Sequence, residues 1–202
     1  LRQDLLQLGI ALPQTVEGLP REWPLRYINW SDVRSNIFHM TSEFAVEWPE
    51  GAAIRPDIVL FVNGIPFAVI EVKRSQEKVE QGISQHLRNQ KPDIGAPNLF
   101  FSVQLLIAGN SHSARYATVG TPAKLWSAWK EREDDPNLPA EVVNRAIDPI
   151  EEAAIFEDFR SHRRAHSALV VAGERLANAL DEMLLSLGRP ERLLDLARRF
   201  ML

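Results

Sequence analysis

The sequence predicts an α/β fold, with a mixed central sheet flanked by helices and a helical C-terminal segment. Three observations carry this. Ile58–Val62 and Ile65–Val72 are apolar on both faces and are joined by Asn63-Gly64, a strong hairpin signal. A helical stripe then separates the second run from another apolar run, which calls for a crossover to a parallel neighbour. From Asp148 onward the apolar spacing is helical.

Taken in order, "LRQDLLQLGI" reads as the end of an amphipathic helix, with Leu1, Leu5 and Leu8 on one face and Gly9 closing it. Pro13, Pro20 and Pro24 make the following stretch read as loop, until "PLRYINW" alternates like a strand. "NIFHMTSEFAVEW" is predicted as a strand, with Phe38, Met40, Phe44 and Val46 on one face and a slip near Thr41. In the hairpin, Ile58, Leu60, Val62, Ala68, Ile70 and Val72 form one apolar set. Val59, Phe61, Ile65, Phe67 and Val69 form the other, so both strands belong in mid-sheet. Residues 76–90 read as a helix with the stripe Val79, Ile83, Leu87, ended by "KPDIGAPN". "LFFSVQLLIAG" is the next buried strand, "GNSHS" a turn and "ARYATVG" an alternating strand. The connection through the helix is expected to be right-handed. "LWSAWKEREDDPNLP" reads as a short amphipathic helix and a charged loop. Ile155, Phe156 and Phe159 form a helical stripe, "HSALVVAGERLANALDEMLLSLG" a long helix ending at Gly188, and Pro190 starts a third. There is no internal repeat and no low-complexity tract.

A chain of 202 residues holds one sizeable domain, or one domain with an appendage. With 45% hydrophobic and 25% charged residues it has ordinary globular composition. No apolar run is long enough to cross a bilayer, and no secretory signal is visible. The absence of cysteine excludes disulfides, thiolate metal sites and cysteine nucleophiles, and a cytoplasmic location is expected. The net charge of -4 means that any nucleic acid would be held by a local basic patch, by metal ions or by parts outside this chain. The chain starts at Leu1 and stops within a helical pattern, so a piece of a longer protein is expected.

Asp57, Glu71 and Lys73 stand at the mouths of the two most apolar strands. Burying two acids there without purpose is costly. Side chains alternate along a strand, so register decides whether the acids meet. A strict two-residue turn pairs Asp57 with Ile70 and points Glu71 and Lys73 away. A three-residue loop pairs Phe61 with Ile65 and Asp57 with Val69, sets Arg55 opposite Glu71, and gathers Asp57, Glu71 and Lys73 on one face. A bulge does the same. Two carboxylates suit a hard divalent cation such as Mg²⁺, which keeps several waters and also takes substrate phosphate. A lysine beside the metal-bound water can orient it, lower its pKa or stabilise charge developing on phosphorus. That is phosphodiester hydrolysis. An isolated E-V-K at a strand end means little; P-D, an apolar strand, a turn and then E-V-K is far more specific.

Pro56-Asp57 followed by Glu71-Val72-Lys73 resembles the PD-(D/E)XK nuclease motif. "RPDIVLFVNGIPFAVIEVK" is similar to the nuclease segment of the R subunit of Type I restriction enzymes, the motor and cleavage subunit. "LRYINW…NIFHMTSEFAVE" resembles the lead-in strands of that family, and "PERLLDLARRFML" the passage from nuclease to helicase motor. The likeness covers most of the chain and is strongest over residues 25–120. It implies a restriction-endonuclease-like fold, with an endonuclease core over residues 1–134 and a helical segment over 135–202 leading toward a motor domain. It implies Asp57 and Glu71 as metal ligands, the Val72 carbonyl as a further ligand, Lys73 as the catalytic lysine and Mg²⁺ as cofactor. The family's Q-x-x-x-Y motif matches at Gln85-His-Leu-Arg-Asn89, with the glutamine present and the tyrosine replaced; Gln81-Gly-Ile-Ser-Gln85 is a weaker register. Gln85 would contact DNA or help position the site. No upstream helix acid can be placed. The implied activity is that of a type I site-specific deoxyribonuclease on double-stranded DNA, leaving 3′-hydroxyl and 5′-phosphate ends. Its implied partners are the modification and specificity subunits, with no membrane partner. No G-x-x-x-x-G-K-[ST] loop is present, so ATP would act only through motor domains outside this chain.

Arg74, Lys78, Arg88 and Lys91 surround the site in sequence and could supply local positive potential. His162, Arg163, Arg164 and His166 read first as a solvated face or domain contact, and only then as a DNA contact. His86 reads as a surface histidine, His112 as a loop residue without a role, and Trp126 and Trp129 as packing residues. Two alternatives stay open: a stand-alone repair or junction-cleaving nuclease, and a catalytically silent module that docks on DNA or subunits. A regular hairpin would favour the last.

Overall fold

The structure is a computed structural model and describes residues 2–47, 53–131, 137–155, 166 and 168–201. Helix α1 (Arg2–Leu8) is closed by Gly9, at φ 74°, whose N–H donates to Leu5 O at 3.0 Å. Leu6 is the residue it buries, while Leu8 is exposed, so the apolar face lies one residue away from the predicted one.

β1 (Ile10–Val16) and β2 (Leu19–Leu25) form an antiparallel ribbon through Glu17-Gly18, where a loop was expected. The prolines permit it. Counting from the turn-flanking pair Val16–Leu19, Pro20, Pro13 and Pro24 all fall on alternate pairs. Those pairs exchange no ladder hydrogen bonds, so a missing N–H is harmless. "RYINW" beyond Leu25 is not a strand.

β3 (Phe38–Ser42) and the short β4 (Val46–Glu47) replace the single strand predicted there. Glu43, at φ 52°, breaks the run. As a result Phe38 packs on one side of the sheet, Phe44 and Val46 on the other, and Met40 is exposed. β4 pairs with β5 (Ala53–Ile54). β6 (Ile58–Val62) and β7 (Ile65–Val72) have the predicted bounds. α2 (Val79–Asn89) follows, then a 3₁₀ turn at Leu99–Phe101, β8 (Leu105–Gly109) and β9 (Ala114–Ala117). The first half of "LFFSVQLLIAG" is therefore a turn and not strand. Together β3, β6, β7, β8 and β9 make a five-stranded mixed sheet in that order. β7 and β8 are parallel and the other pairs antiparallel.

The Asn63-Gly64 loop has two residues, at φ 51° and 80°, the signature of a type I′ turn. Asn63 is also tied back. Its Oδ1 accepts from Ile37 N at 2.7 Å, and its Nδ2 donates to Tyr27 O at 2.8 Å and to Asn36 Oδ1 at 2.9 Å. The expected three-residue loop is not used. A bulge takes its place: Phe61 pairs with Pro66 but Leu60 with Ala68, leaving Phe67 as the extra residue. The carbonyl of Phe67 accepts from Gln104 N at 2.8 Å. Phe67 and Ile65 consequently join Ala68 and Ile70 on one face, and not Val59, Phe61 and Val69 on the other.

Both faces of the sheet are covered. On one, Val59, Val69, Leu106 and Ala108 pack against Val79 and Ile83 of α2 and against Trp126. On the other, Val62, Ala68, Ile70, Leu105 and Ile107 meet Leu180, Met183, Leu187, Leu193 and Leu194. Each fully buried aliphatic chain contributes roughly 1.5–3 kcal/mol. The second covering layer comes from α5 (Ala179–Leu187) and α6 (Pro190–Leu196), which follow the exposed α3 (Leu138–Val143) and α4 (Pro149–Ile155). The long helix predicted before Gly188 is in two parts. Residues 168–172 are helical, Gly173 sits at φ 69°, and Asn178 starts α5 with a capping box to Asp181. α6 continues as a π turn, Ala197–Met201. The segment after β9 is a 3₁₀ turn, Ala123–Leu125, and then extended chain bridging Ser127 to Tyr116, in place of the predicted helix. Trp126 is buried and Trp129 packs edge-on against Tyr116, as packing residues should. Among the described residues no helix is long and apolar enough to cross a membrane. Phe156, Phe159, His162, Arg163 and Arg164 lie outside the described residues.

Candidate active site

The bulge decides the geometry of the acids. Because Ile58 pairs with Ile70, the next position sets Asp57 opposite Glu71, instead of opposite Val69 as the three-residue loop required. Parity is the same in either case, so Asp57, Glu71 and Lys73 lie together on the α2 side of the sheet. Lys73 Nζ stands 3.8 Å from Asp57 Oδ2 and 3.7 Å from Glu71 Oε2. The group sits at the C-terminal ends of the parallel strands β7 and β8, where open α/β sheets bind ligands.

Local bonds fix Asp57 and Lys73. Asp57 Oδ2 accepts from Val72 N at 2.6 Å. The main chain of Pro56-Asp57 is held by the residues just after β3, with Glu43 N donating to Asp57 O at 2.8 Å and Phe44 N to Pro56 O at 3.2 Å. Arg55 pairs with Glu43, Nε to Oε2 at 2.7 Å, and does not face Glu71. Lys73 N donates to Gly109 O at 2.8 Å, carrying the strand pairing past Val72. Lys73 Nζ donates to Gln85 Oε1 at 2.8 Å. Gly82 lets α2 approach that closely: a Cβ there would lie 3.1 Å from Ala108 Cβ and 3.6 Å from Glu71 Cβ.

Glu71 is fully buried, and neither carboxylate oxygen has a hydrogen-bond partner. Burial raises its pKa, the Asp57 carboxylate raises it further and Lys73 pulls it down, leaving it at about 8. Among the described residues no group of three or more His, Asp or Glu side chains gathers, so this pair of acids is not part of a larger acidic cage. Its hard oxygen donors and orphaned buried carboxylate fit a divalent cation that keeps several waters.

Of the remaining predicted residues, Gln85 joins the site through Lys73, and Val72 through its main chain. Asn89 is buried at the end of α2, with its carbonyl accepting from Ala96 N at 2.9 Å, remote in role from the acids. Arg74, Lys78 and Arg88 line a cleft beside Lys73, which Lys91 does not reach. His86 corrects the surface reading. It is fully buried, its Nε2 lies 2.9 Å from Ile107 O, and its ring packs on Trp126. A carbonyl can only accept, so Nε2 carries the proton, and burial lowers the pKa to about 4. Its place was readable, since His86 lies seven residues, two helical turns, after Val79 on the buried stripe.

A sheet carrying paired acids and a lysine at its strand ends is the frame in which the comparisons fall. Residues 3–125 match the family described as Type I restriction enzyme R protein N terminus, and the chain belongs to that family. A protein of Methanocaldococcus jannaschii, provisionally named as the endonuclease subunit of type I restriction enzyme MjaIXP, is 28% identical over 142 residues, 67% of this chain and 13% of that protein. The type I restriction enzyme HindI endonuclease subunit of Haemophilus influenzae is 26% identical over 129 residues, 62% of this chain and 12% of that protein. The chain thus spans about an eighth of the length of these relatives.

Proposed function

We propose that this chain is the DNA endonuclease domain of a Type I restriction enzyme R subunit, of the PD-(D/E)XK class, hydrolysing phosphodiesters of double-stranded DNA with Mg²⁺. The observation that carries the reading is Glu71, a fully buried carboxylate that accepts no hydrogen bond, has only the Lys73 ammonium at 3.7 Å to offset its charge among the described residues, and faces a second carboxylate. Leaving such a group ionised is costly unless a cation completes it. Asp57 and Glu71 would hold the cation, with the Val72 carbonyl as a further ligand. When bound, it would lower the pKa of a water and stabilise charge on the phosphate.

The chain's own residues supply the rest. Asp57 is held in place by the Val72 N–H and needs no reorganisation to bind. Lys73 keeps a proton at Nζ beside the acids and offers it as a hydrogen bond to the attacking water or to a non-bridging phosphate oxygen. Gln85 holds that ammonium in position. The apolar floor of Val59, Val69 and Ile83 excludes bulk water beneath the group. Hydrolysis would leave 3′-hydroxyl and 5′-phosphate ends. Target recognition by specificity and modification subunits, and ATP-driven translocation by motor domains, belong to the wider complex in this reading. A regular hairpin that separates the acids would favour the docking-module alternative; the bulge sets them on one face, which supports the nuclease reading instead. Calorimetric titration with Mn²⁺ tests the proposal: binding in the parent, lost in both Asp57→Ala and Glu71→Ala, is expected. Binding that survives either substitution would refute it.

A further inference from the structure

Beside the acids, the end of β7 and the outer face of α2 line a cleft of about 660 Å³ that includes Val72 and Lys73. Its walls carry four cations, Lys73, Arg74, Lys78 and Arg88, against two carboxylates. This is a local reversal of sign in a chain of net charge -4. One of the carboxylates is engaged locally, with Glu77 Oε2 accepting from Arg74 N within its own loop at 3.0 Å. Arg74 and Lys78 are exposed, and neither side chain has an ion-pair partner among the described residues. The loop that carries them is nonetheless anchored: Asn110 Nδ2 donates to Glu77 O at 2.7 Å, and Ser111 Oγ bonds Ser75 Oγ at 3.0 Å. Gln81 and Ser84, small or uncharged and exposed, continue the wall along α2. Unpaired cations on a fixed loop, bordering a polar groove, make a surface for a chain of phosphates.

We infer that this cleft carries one strand of the DNA backbone away from the cleavage point, with Arg74 and Lys78 contacting phosphates and the Gln81–Ser84 face of α2 alongside it. The inference rests on the nuclease reading for its substrate and adds the path and the contacts. Lys73 belongs to both the acid group and the cleft, so a phosphate at Lys73 is continuous with the groove. α2 has 11 residues and is therefore about 16 Å long. Duplex DNA presents a phosphate about every 3.4 Å of axis on each strand, so the groove spans several.

The test measures binding of a short fluorescent duplex by anisotropy in EDTA, across a salt series. The proteins are the parent chain, the double variant Arg74→Ala/Lys78→Ala, and Ser84→Asp, each also titrated with Mn²⁺. All three positions are exposed, so folding should be kept. The double variant should bind about tenfold or more weakly at low salt, with the slope of log K against log salt reduced by about 2, near one unit per lost phosphate contact. Ser84→Asp should also weaken binding, through repulsion, and Mn²⁺ binding should be unchanged in both. Parent-like affinity and slope in the double variant would overturn the inference, as would a parent that binds no duplex. Either result, with Mn²⁺ still bound by the acids, would leave the nuclease reading standing. A reduced slope in the double variant, together with a parent that binds duplex but no Mn²⁺, would sustain the strand path and overturn the hydrolytic reading.

Discussion

Asp57 Oδ2 accepts a 2.6 Å hydrogen bond from the main-chain N–H of Val72, so the first acid is fixed by the strand that carries the second. Asp57 thus has a structural duty, as an acceptor, and an electrostatic one, as a charge that raises the pKa of Glu71. The two separate by substitution. Asp57→Asn keeps an acceptor and should stay within roughly 1 kcal/mol of the parent, while Asp57→Ala should cost roughly 1–3 kcal/mol. In Asp57→Asn the pKa of Glu71 should fall. Urea unfolding and carboxyl carbon NMR titration read the two effects. Equal stability of the Asn and Ala forms would contradict the structural duty.

Among the described residues Gln85 bonds to the site through Lys73, with Oε1 accepting from Nζ at 2.8 Å. It is a positioning residue for the ammonium. Gln85→Ala should slow Mg²⁺-dependent nicking of supercoiled DNA by about tenfold to a hundredfold, the scale of a misplaced catalytic group. Duplex affinity should change only a few-fold. A variant that nicks normally, or one that loses affinity and keeps its turnover at saturating DNA, would contradict this assignment.

Glu71 and His86 oppose each other in the pH dependence of stability. The pKa of Glu71 is raised from 4.5 to about 8 on folding, so its favourable contribution is full below 4.5 and is lost as pH rises through 8. That of His86 is lowered from 6.5 to about 4, so its contribution is full above 6.5 and is lost as pH falls through 4. The two slopes cancel between about 4.5 and 6.5, so metal-free protein should be most stable in that window and lose stability toward pH 8 and toward pH 4. Glu71→Gln should flatten the alkaline limb and His86→Gln the acid limb. Urea midpoints in EDTA across the pH range give the answer; an alkaline limb that persists in Glu71→Gln would show that another group causes it.

The strands that carry the acids were legible because both faces of Ile58–Val62 and Ile65–Val72 are apolar, which only a mid-sheet position satisfies. The need for a bulge or a longer loop was also legible, from parity alone. Its place at Phe67 was not, since it depends on packing against Gln104 and the opposite core. The ribbon β1–β2 was hidden by its prolines, whose tolerance depends on a pairing register that composition does not reveal. Gly173 and Asn178 divide what hydrophobic spacing alone reads as one helix; the cap signal was present, but the spacing outweighed it. Residue type alone points His86 to the surface, whereas its position on the stripe of α2 puts it inside.

In the proposed site Asp57 and Glu71 share one divalent cation. Anomalous diffraction from crystals grown with Mn²⁺ tests it most directly. A shared cation should give a peak within coordination distance of a carboxylate oxygen of each acid and of the Val72 carbonyl, absent in Glu71→Gln. No peak at the two carboxylates, or a peak there that Glu71→Gln leaves in place, would contradict it.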